Sequence, residues 1–166
     1  PRPRGHRQRL AAKSVWCAAL MAANPARAAR SAAPVPDACP CGQRSNQRQP
    51  LAFADCCGRY IDHFDATPAP DAEHLMRSRY SAFVRGQVDY LLATWHPSQR
   101  PDTLELEPHA QWLGLEVRQH RVLDADHAQV AFVARYRVAG RAVRLQENSR
   151  FVREAGRWYY LDAAGQ

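Results

Sequence analysis

The spacing of apolar positions changes character along the chain. Over residues 71–86, Ala72, Leu75, Met76, Tyr80 and Phe83 recur on one face at helical spacing. Asp71 stands where it can cap the first turn, Glu73 is favourable within that turn, and Gly86 supplies a stop. A second helix is predicted next, with Val88, Leu91, Leu92 and Trp95 on one face and Pro97 ending it. A helical turn is expected over residues 108–113, with Trp112 and Leu113 as buried positions.

After that the period falls to two. Leu115 and Val117 alternate with polar residues. Val130, Phe132, Ala134, Tyr136 and Val138 form an alternating face, and Val143, Leu145, Glu147, Ser149 and Phe151 form another. Trp158, Tyr160 and Asp162 make a third. Asp124-Ala125-Asp126, Ala139-Gly140-Arg141 and Glu154-Ala155-Gly156-Arg157 separate these runs as turns. Helices followed by an antiparallel meander predict an α+β fold, with helices packed on one face of a sheet.

Composition narrows the class. The chain has 166 residues, 46% of them hydrophobic and 23% charged. That mixture makes wholesale disorder, a collagen-like repeat and a coiled coil poor readings, and the length suits one domain, or one domain plus a small module. No apolar run approaches the roughly 20 residues of a membrane-spanning helix.

The net charge of +7 is local. Residues 1–36 hold Arg2, Arg4, Arg7, Arg9, Lys13, Arg27 and Arg30 and no acid, leaving 16 basic and 16 acidic side chains in the other 130 residues. We read residues 1–36 as a disordered basic tail that can meet phosphate backbones or anionic lipid. The tail imitates a secretory leader, with Ser14 to Ala23 as its apolar stretch. That stretch is short and Ala-rich, bulky Trp16 precedes Cys17, and Met21 is a candidate natural start. The expectation is therefore a cytoplasmic protein with Cys17 as an unpaired thiol.

The densest chemistry lies in Cys39-Pro40-Cys41-Gly42 and Cys56-Cys57. In an extended segment Cys39 and Cys41 point the same way, so two thiolates can grip one soft cation. Gly42 lets the backbone turn directly afterwards. Cys56 and Cys57 complete a tetrahedron if they sit on a turn, with His63 as reserve fourth ligand. Four sulfurs suit Zn2+. Two disulfides in an oxidising compartment, or inert buried thiols, are the competing readings. The stretch Ala66-Thr67-Pro68-Ala69-Pro70 then reads as a linker, so residues 37–70 form the module and residues 71–166 the larger domain.

The cysteine pattern, with Phe53 three residues before Cys56, resembles the SEC-C motif, a small zinc module also found at the C-terminus of the SecA translocation ATPase. Here residues 42–55 separate the pairs, a longer linker than usual, and Gly42-Gln43-Arg44 replaces the usual Gly-Ser-Gly. The remainder resembles the YchJ family of uncharacterised bacterial proteins. The resembling segments include Cys56-Cys57-Gly58-Arg59-Tyr60, Leu75-Met76-Arg77-Ser78-Arg79-Tyr80-Ser81-Ala82-Phe83, Thr94-Trp95-His96-Pro97 and Gly156-Arg157-Trp158-Tyr159-Tyr160. The resemblance runs from Asp37 to Asp162. It implies an SEC-C zinc module followed by a nuclear transport factor 2-like cone, in which helices pack into a curved antiparallel sheet. It implies no established reaction.

Three functions follow. The leading one is a zinc-binding interaction or adaptor protein with the SEC-C motif, ligands Cys39, Cys41, Cys56 and Cys57, as its docking surface for a protein partner. The second is a small enzyme of isomerase or dehydratase type around Glu147, which shares strand phase with Leu145 and Phe151 and so points inward. Ser149 lies on the same face, and Asp162 and His96 are weaker partners. The competing reading of Glu147 is structural, paired with Arg77 or Arg79 of the first helix. The third function is a nucleic-acid or ribosome binder using the basic tail. Trp95, Trp112, Trp158, Tyr159 and Tyr160 read as core aromatics rather than base-stacking platforms.

If residues 1–36 are not part of the fold, deleting them leaves the thermal midpoint unchanged within about 2 °C, the scale of a few tenths of a kcal/mol here. Differential scanning calorimetry checks this, and a larger drop would show the tail docked on the domain.

Overall fold

A computed structural model describes residues 37–165. The basic tail and Cys17 lie outside the described residues. Within them, helices α1 (Gly58–Ile61), α2 (Ala72–Arg85) and α3 (Val88–Ala93) precede strands β1 (Gln111–Val122), β2 (His127–Val138), β3 (Arg141–Glu154) and β4 (Arg157–Ala163). The strands form one antiparallel meander in the order β1-β2-β3-β4.

The helix α2 has the ends its sequence predicts. The Asp71 carboxylate accepts from the His74 backbone N–H at 2.8 Å and contacts the His74 ring Nδ1 at 2.8 Å. Gly86 takes the left-handed conformation with φ 72°, and its N–H reaches the carbonyls of Ala82 and Phe83. Nine of the 14 residues are buried, including Ser78, Arg79, Ser81 and Ala82 off the apolar stripe. A helix covered by the sheet alone would bury only a stripe, so α2 has neighbours on more than one side. α3 is shorter than its apolar spacing suggests. The chain leaves the helix at Thr94, and Trp95 instead bridges Tyr160 of β4 in parallel.

Alternation along the strands sorts the two sheet faces as expected. Val130, Phe132, Ala134, Leu145, Glu147, Ser149 and Phe151 are buried, while Arg135, Arg144, Gln146, Asn148 and Arg150 are exposed. The buried face shares one core with Leu75, Met76, Tyr80 and Phe83 of α2. Trp95, Trp158 and Tyr160 join that core, with Trp112 partly buried against it.

Two expectations are corrected. Residues 108–113 make no helical turn: Pro108 and His109 form a simple turn, and β1 begins at Gln111. Trp112 packs edge-on against Tyr80, but a register shift between Trp112 and Gly114 leaves Leu113 54% exposed. Asp162 does not share the face of Trp158 and Tyr160. Phe151 pairs with Tyr160 while Arg150 pairs with Asp162, so Leu161 is an extra residue that turns Asp162 to the outer face. There it takes both Nε and an outer nitrogen of Arg150.

Two-residue turns close β2 to β3 and β3 to β4, with positive φ at both central residues: Ala139 (47°) and Gly140 (78°), Ala155 (48°) and Gly156 (77°). This is the signature of the type I′ hairpin, whose twist matches that of the strands. Alanine is strained at positive φ and asparagine is not, so Ala139→Asn and Ala155→Asn should each stabilise the protein by about 0.5–1 kcal/mol in urea unfolding.

Candidate metal centre

The cysteine pairs meet because the segment between them is a β-hairpin. The Gly42 N–H bonds the Cys39 carbonyl at 3.1 Å, closing a knuckle, and Gly42 itself has φ 72°. The chain runs outward, turns where the Arg48 N–H meets the Ser45 carbonyl, and returns with Leu51 accepting from the Cys39 N–H at 2.8 Å. Residues 42–55, long as a linker, thus come back to where they began. Cys56 and Cys57 then sit on a turn, as the tetrahedral reading requires, with Cys57 helical at φ −71°. The Phe53 carbonyl accepts from the N–H groups of Cys56 and Gly58. A Cβ at residue 58 would lie 2.8 Å from that carbonyl and 2.9 Å from the Phe53 ring, so the turn needs glycine there.

The result is four buried thiols whose sulfur atoms all lie within 4.8 Å of one another. The Cys41 and Cys56 sulfurs are 3.6 Å apart. A tetrahedral ion bonded to four thiolates at about 2.3 Å sets its sulfurs about 3.8 Å apart, so the cluster has the dimensions for one soft cation. None of these cysteines is in a disulfide. Hydrogen bonds from the Cys41, Cys56 and Cys57 thiols pull the Cys39 pKa down, while those with Cys39 foremost, then Cys41 and Cys56, push Cys57 up. A first thiolate is therefore stabilised by its neighbours' S–H groups, and a metal is what allows all four to ionise.

Outer contacts orient the sulfurs. The Ser81 hydroxyl of α2 lies 3.6 Å from the Cys39 sulfur, and the Gln43 amide oxygen 3.6 Å from the Cys56 sulfur. Arg77 donates to the Cys41 carbonyl at 3.4 Å and pairs with Glu73 at 2.8 Å. Sequence reasoning missed Ser81 and Gln43; the small residues on the far side of α2 were the available signal. His63 is exposed and stands apart from the four-sulfur group. A cleft lined by Gln43, Leu51, Arg59, Tyr60, His74 and Arg77 opens beside Cys56 and Cys57.

The second set of candidate residues is elsewhere, inside the sheet. Glu147 is buried, and its Oε1 accepts from the Ser149 hydroxyl at 2.6 Å and the Tyr160 hydroxyl at 3.2 Å. Arg79, 1% exposed, donates to the Leu91 carbonyl and the Thr94 hydroxyl, both at 2.7 Å. Its guanidinium lies 4.7 Å from the Tyr160 ring centre and 5.3 Å from that of Trp95. Burial lowers the Arg79 pKa to about 10, opposed by Tyr160, Tyr90 and Glu147, so it stays charged at neutral pH. Of the two arginines considered as partners of Glu147, Arg79 is the one in its electrostatic reach, whereas Arg77 faces the cysteines. His96 is not in this group; its ring contacts Glu154 and Ser98.

The YchJ middle domain, of NTF2-like fold, matches residues 71–163. The chain belongs to the YchJ family. A UPF0225 protein of Polaromonas sp. is 67% identical over 125 residues, covering 75% of this chain and 90% of the relative. A UPF0225 protein of Bordetella parapertussis is 57% identical over 130 residues, covering 76% and 92%. Among solved structures, a SEC-C motif containing protein from Psychrobacter arcticus superposes with a TM-score of 0.65 at 34% identity, covering 80% of this chain and 85% of that one. One from Rhodopseudomonas palustris has a TM-score of 0.65 at 28% identity, covering 78% and 98%. The NTF2-like part of this YchJ-family chain is thus the α2, α3 and sheet assembly that encloses Glu147, while the four cysteines precede it.

Glu147→Gln removes a charge that faces a buried guanidinium. It should destabilise the protein by about 1–3 kcal/mol in urea unfolding. An unchanged or raised midpoint would instead mark Glu147 as a strained functional group.

Proposed function

We propose that this protein is a zinc-binding adaptor whose N-terminal module docks onto a protein partner. Zn2+ is held by Cys39, Cys41, Cys56 and Cys57. The observation that carries this reading is the convergence of four buried sulfurs within 4.8 Å, an all-thiolate donor set that suits zinc above other common ions. Closed four-sulfur sites leave no open position for substrate, so the ion's role is structural: it ties together a module too short to bury a core by itself. Thiolates that must stay reduced fit a cytoplasmic setting. No helix among the described residues is long and apolar enough to cross a membrane.

The docking surface is the cleft beside Cys56 and Cys57, where the exposed Arg59 offers a charged group to a partner over the edge of the buried Tyr60. Glu147 is read as structural, because its hydrogen bonds are spent inside the core beside Arg79. Resemblance of the cysteine pattern to the SEC-C motif adds to the zinc assignment, and it is the solved neighbours that carry that motif's name.

Native mass spectrometry of reduced protein, isolated from cells without chelator, tests both halves. The expected result is one zinc per chain, together with a retained protein partner that is lost in Arg59→Glu while the zinc stays. Substoichiometric zinc, or a Cys39–Cys41 disulfide, would refute the metal assignment. Removing the metal with a chelator should lower the thermal midpoint sharply, since zinc binding is folding free energy in such modules.

A further inference from the structure

The outer face of the sheet, remote in sequence from the cysteines and unused by the zinc module, carries a second recognition chemistry. Strand register places its side chains in rows. At one end Arg121, Gln129, Arg150 and Asp162 lie side by side across the four strands. At the other, Arg135 stands directly opposite Arg144, with Arg137 one step further along the same face. Between them runs a strip of amides, Gln119, Gln146 and Asn148. Arg150 lies six steps along β3 from Arg144, a span of about 20 Å at roughly 3.4 Å per residue.

The charges on this face do not balance within the fold. Its acids are Glu116, Asp162 and, at the far end of β3, Glu154, which is paired with His96 at 3.0 Å. Glu116 serves Arg135 at 3.0 Å and Arg118 at 3.4 Å, and Asp162 serves Arg150. Arg121, Arg137 and Arg144 are exposed and stand outside those ion pairs. Like charges directly opposite each other across a strand pair are destabilising, and the single Glu116 carboxylate, shared among Arg135, Arg118 and Arg144, offsets the Arg135 and Arg144 juxtaposition only in part.

We propose that this face binds the phosphate backbone of a nucleic acid. A span of about 20 Å with guanidinium groups at both ends suits a polyanion rather than a single ion. Every basic side chain of the chain except Lys13 is arginine, and the guanidinium fork grips phosphate in two-point fashion. The amide strip offers both donors and acceptors to sugars and base edges. An acidic protein segment fits less well, because protein interfaces are anchored by buried apolar or aromatic side chains. The exposed large apolar residues, Leu113, Val122 and Leu123, sit at the two ends of β1 rather than in the middle of this face. The surface is distinct from the basic tail.

The test is fluorescence anisotropy of the full, zinc-loaded chain with a fluorescein-labelled single-stranded RNA of about 20 nucleotides, over about 50 to 200 mM salt. Wild type is compared with the triple variant Arg121→Gln, Arg137→Gln, Arg144→Gln. Residues 1–36 are the same in both, so the difference reports this face alone. The variant should bind at least about tenfold more weakly at low salt. The slope of log affinity against log salt should fall by about 2, for three phosphate contacts at about 0.7 each. Its thermal midpoint should stay within about 2 °C, showing that the sheet is intact. Glu116→Gln, which removes a competing carboxylate, should bind more tightly than wild type. Unchanged affinity and slope in the triple variant would overturn the proposal. Competition by poly-glutamate as strong as that by RNA of equal charge would overturn it in favour of an acidic protein partner.

Discussion

The guanidinium of Arg79 is buried at the middle of α2, where one of its nitrogens finds two acceptors and aromatic rings face the rest of the charge. α3 supplies the Leu91 carbonyl, and Thr94 just after it supplies a hydroxyl. β4 supplies the Tyr160 ring, whose hydroxyl in turn holds Glu147 of β3. The chain after α3 is then fixed as well: the Tyr160 N–H bonds the Thr94 carbonyl and the His96 N–H bonds the Tyr160 carbonyl. That pairing is why α3 stops at Ala93 although the apolar spacing runs on to Trp95. An apolar core of the same volume tolerates slipped neighbours; a buried ion does not, because a slip leaves the charge without its partners.

The opposite side of α2 carries the cysteine module. Residues 37–70 are too few to bury a core of their own, and the structure makes them share one. Cys39, Cys41, Phe53, Cys56 and Cys57 belong to the same buried cluster as Leu75, Tyr80 and Phe132. Arg85 of α2 lies 3.8 Å from the centre of the Phe53 ring, and Arg77 reaches the Cys41 carbonyl. Arg157 of β4 donates to the Phe64 carbonyl at 2.7 Å, tying the end of the module to the sheet. Ala69, in the Pro/Ala stretch between the two parts, is itself buried. A helix packed on both sides explains why residues as small as Ser78, Ser81 and Ala82 have no exposed surface.

Outside the tail the charges cancel in number but not in space. Ten of the 16 acids fall in residues 37–107, while nine of the 16 arginines fall in residues 118–157. Alternation along the strands sends most of those arginines outward, since the inward positions are taken by the core. A neutral total therefore conceals a sheet face rich in positive charge, and the field it projects depends on strand phase rather than on composition.

Much of this was legible in local pattern. The ends of α2 follow from Asp71 and Gly86, the four strands from alternation and turn residues, and the inward position of Glu147 from its phase with Leu145 and Phe151; these depend on neighbours a few residues away. The pairing of Cys39 and Cys41 with Cys56 and Cys57 was visible as a cluster. Other features required the folded chain. Side-chain phase carries along a strand only while the register is unbroken, and the bulge at Leu161 sends Asp162 outward while the shift beside Gly114 exposes Leu113. The hairpin that returns residues 42–55 is held by backbone bonds that no composition signals. The roles of Arg79, Ser81 and Tyr160 depend on elements that are distant in sequence and meet only when α2 is packed between the sheet and the four sulfurs.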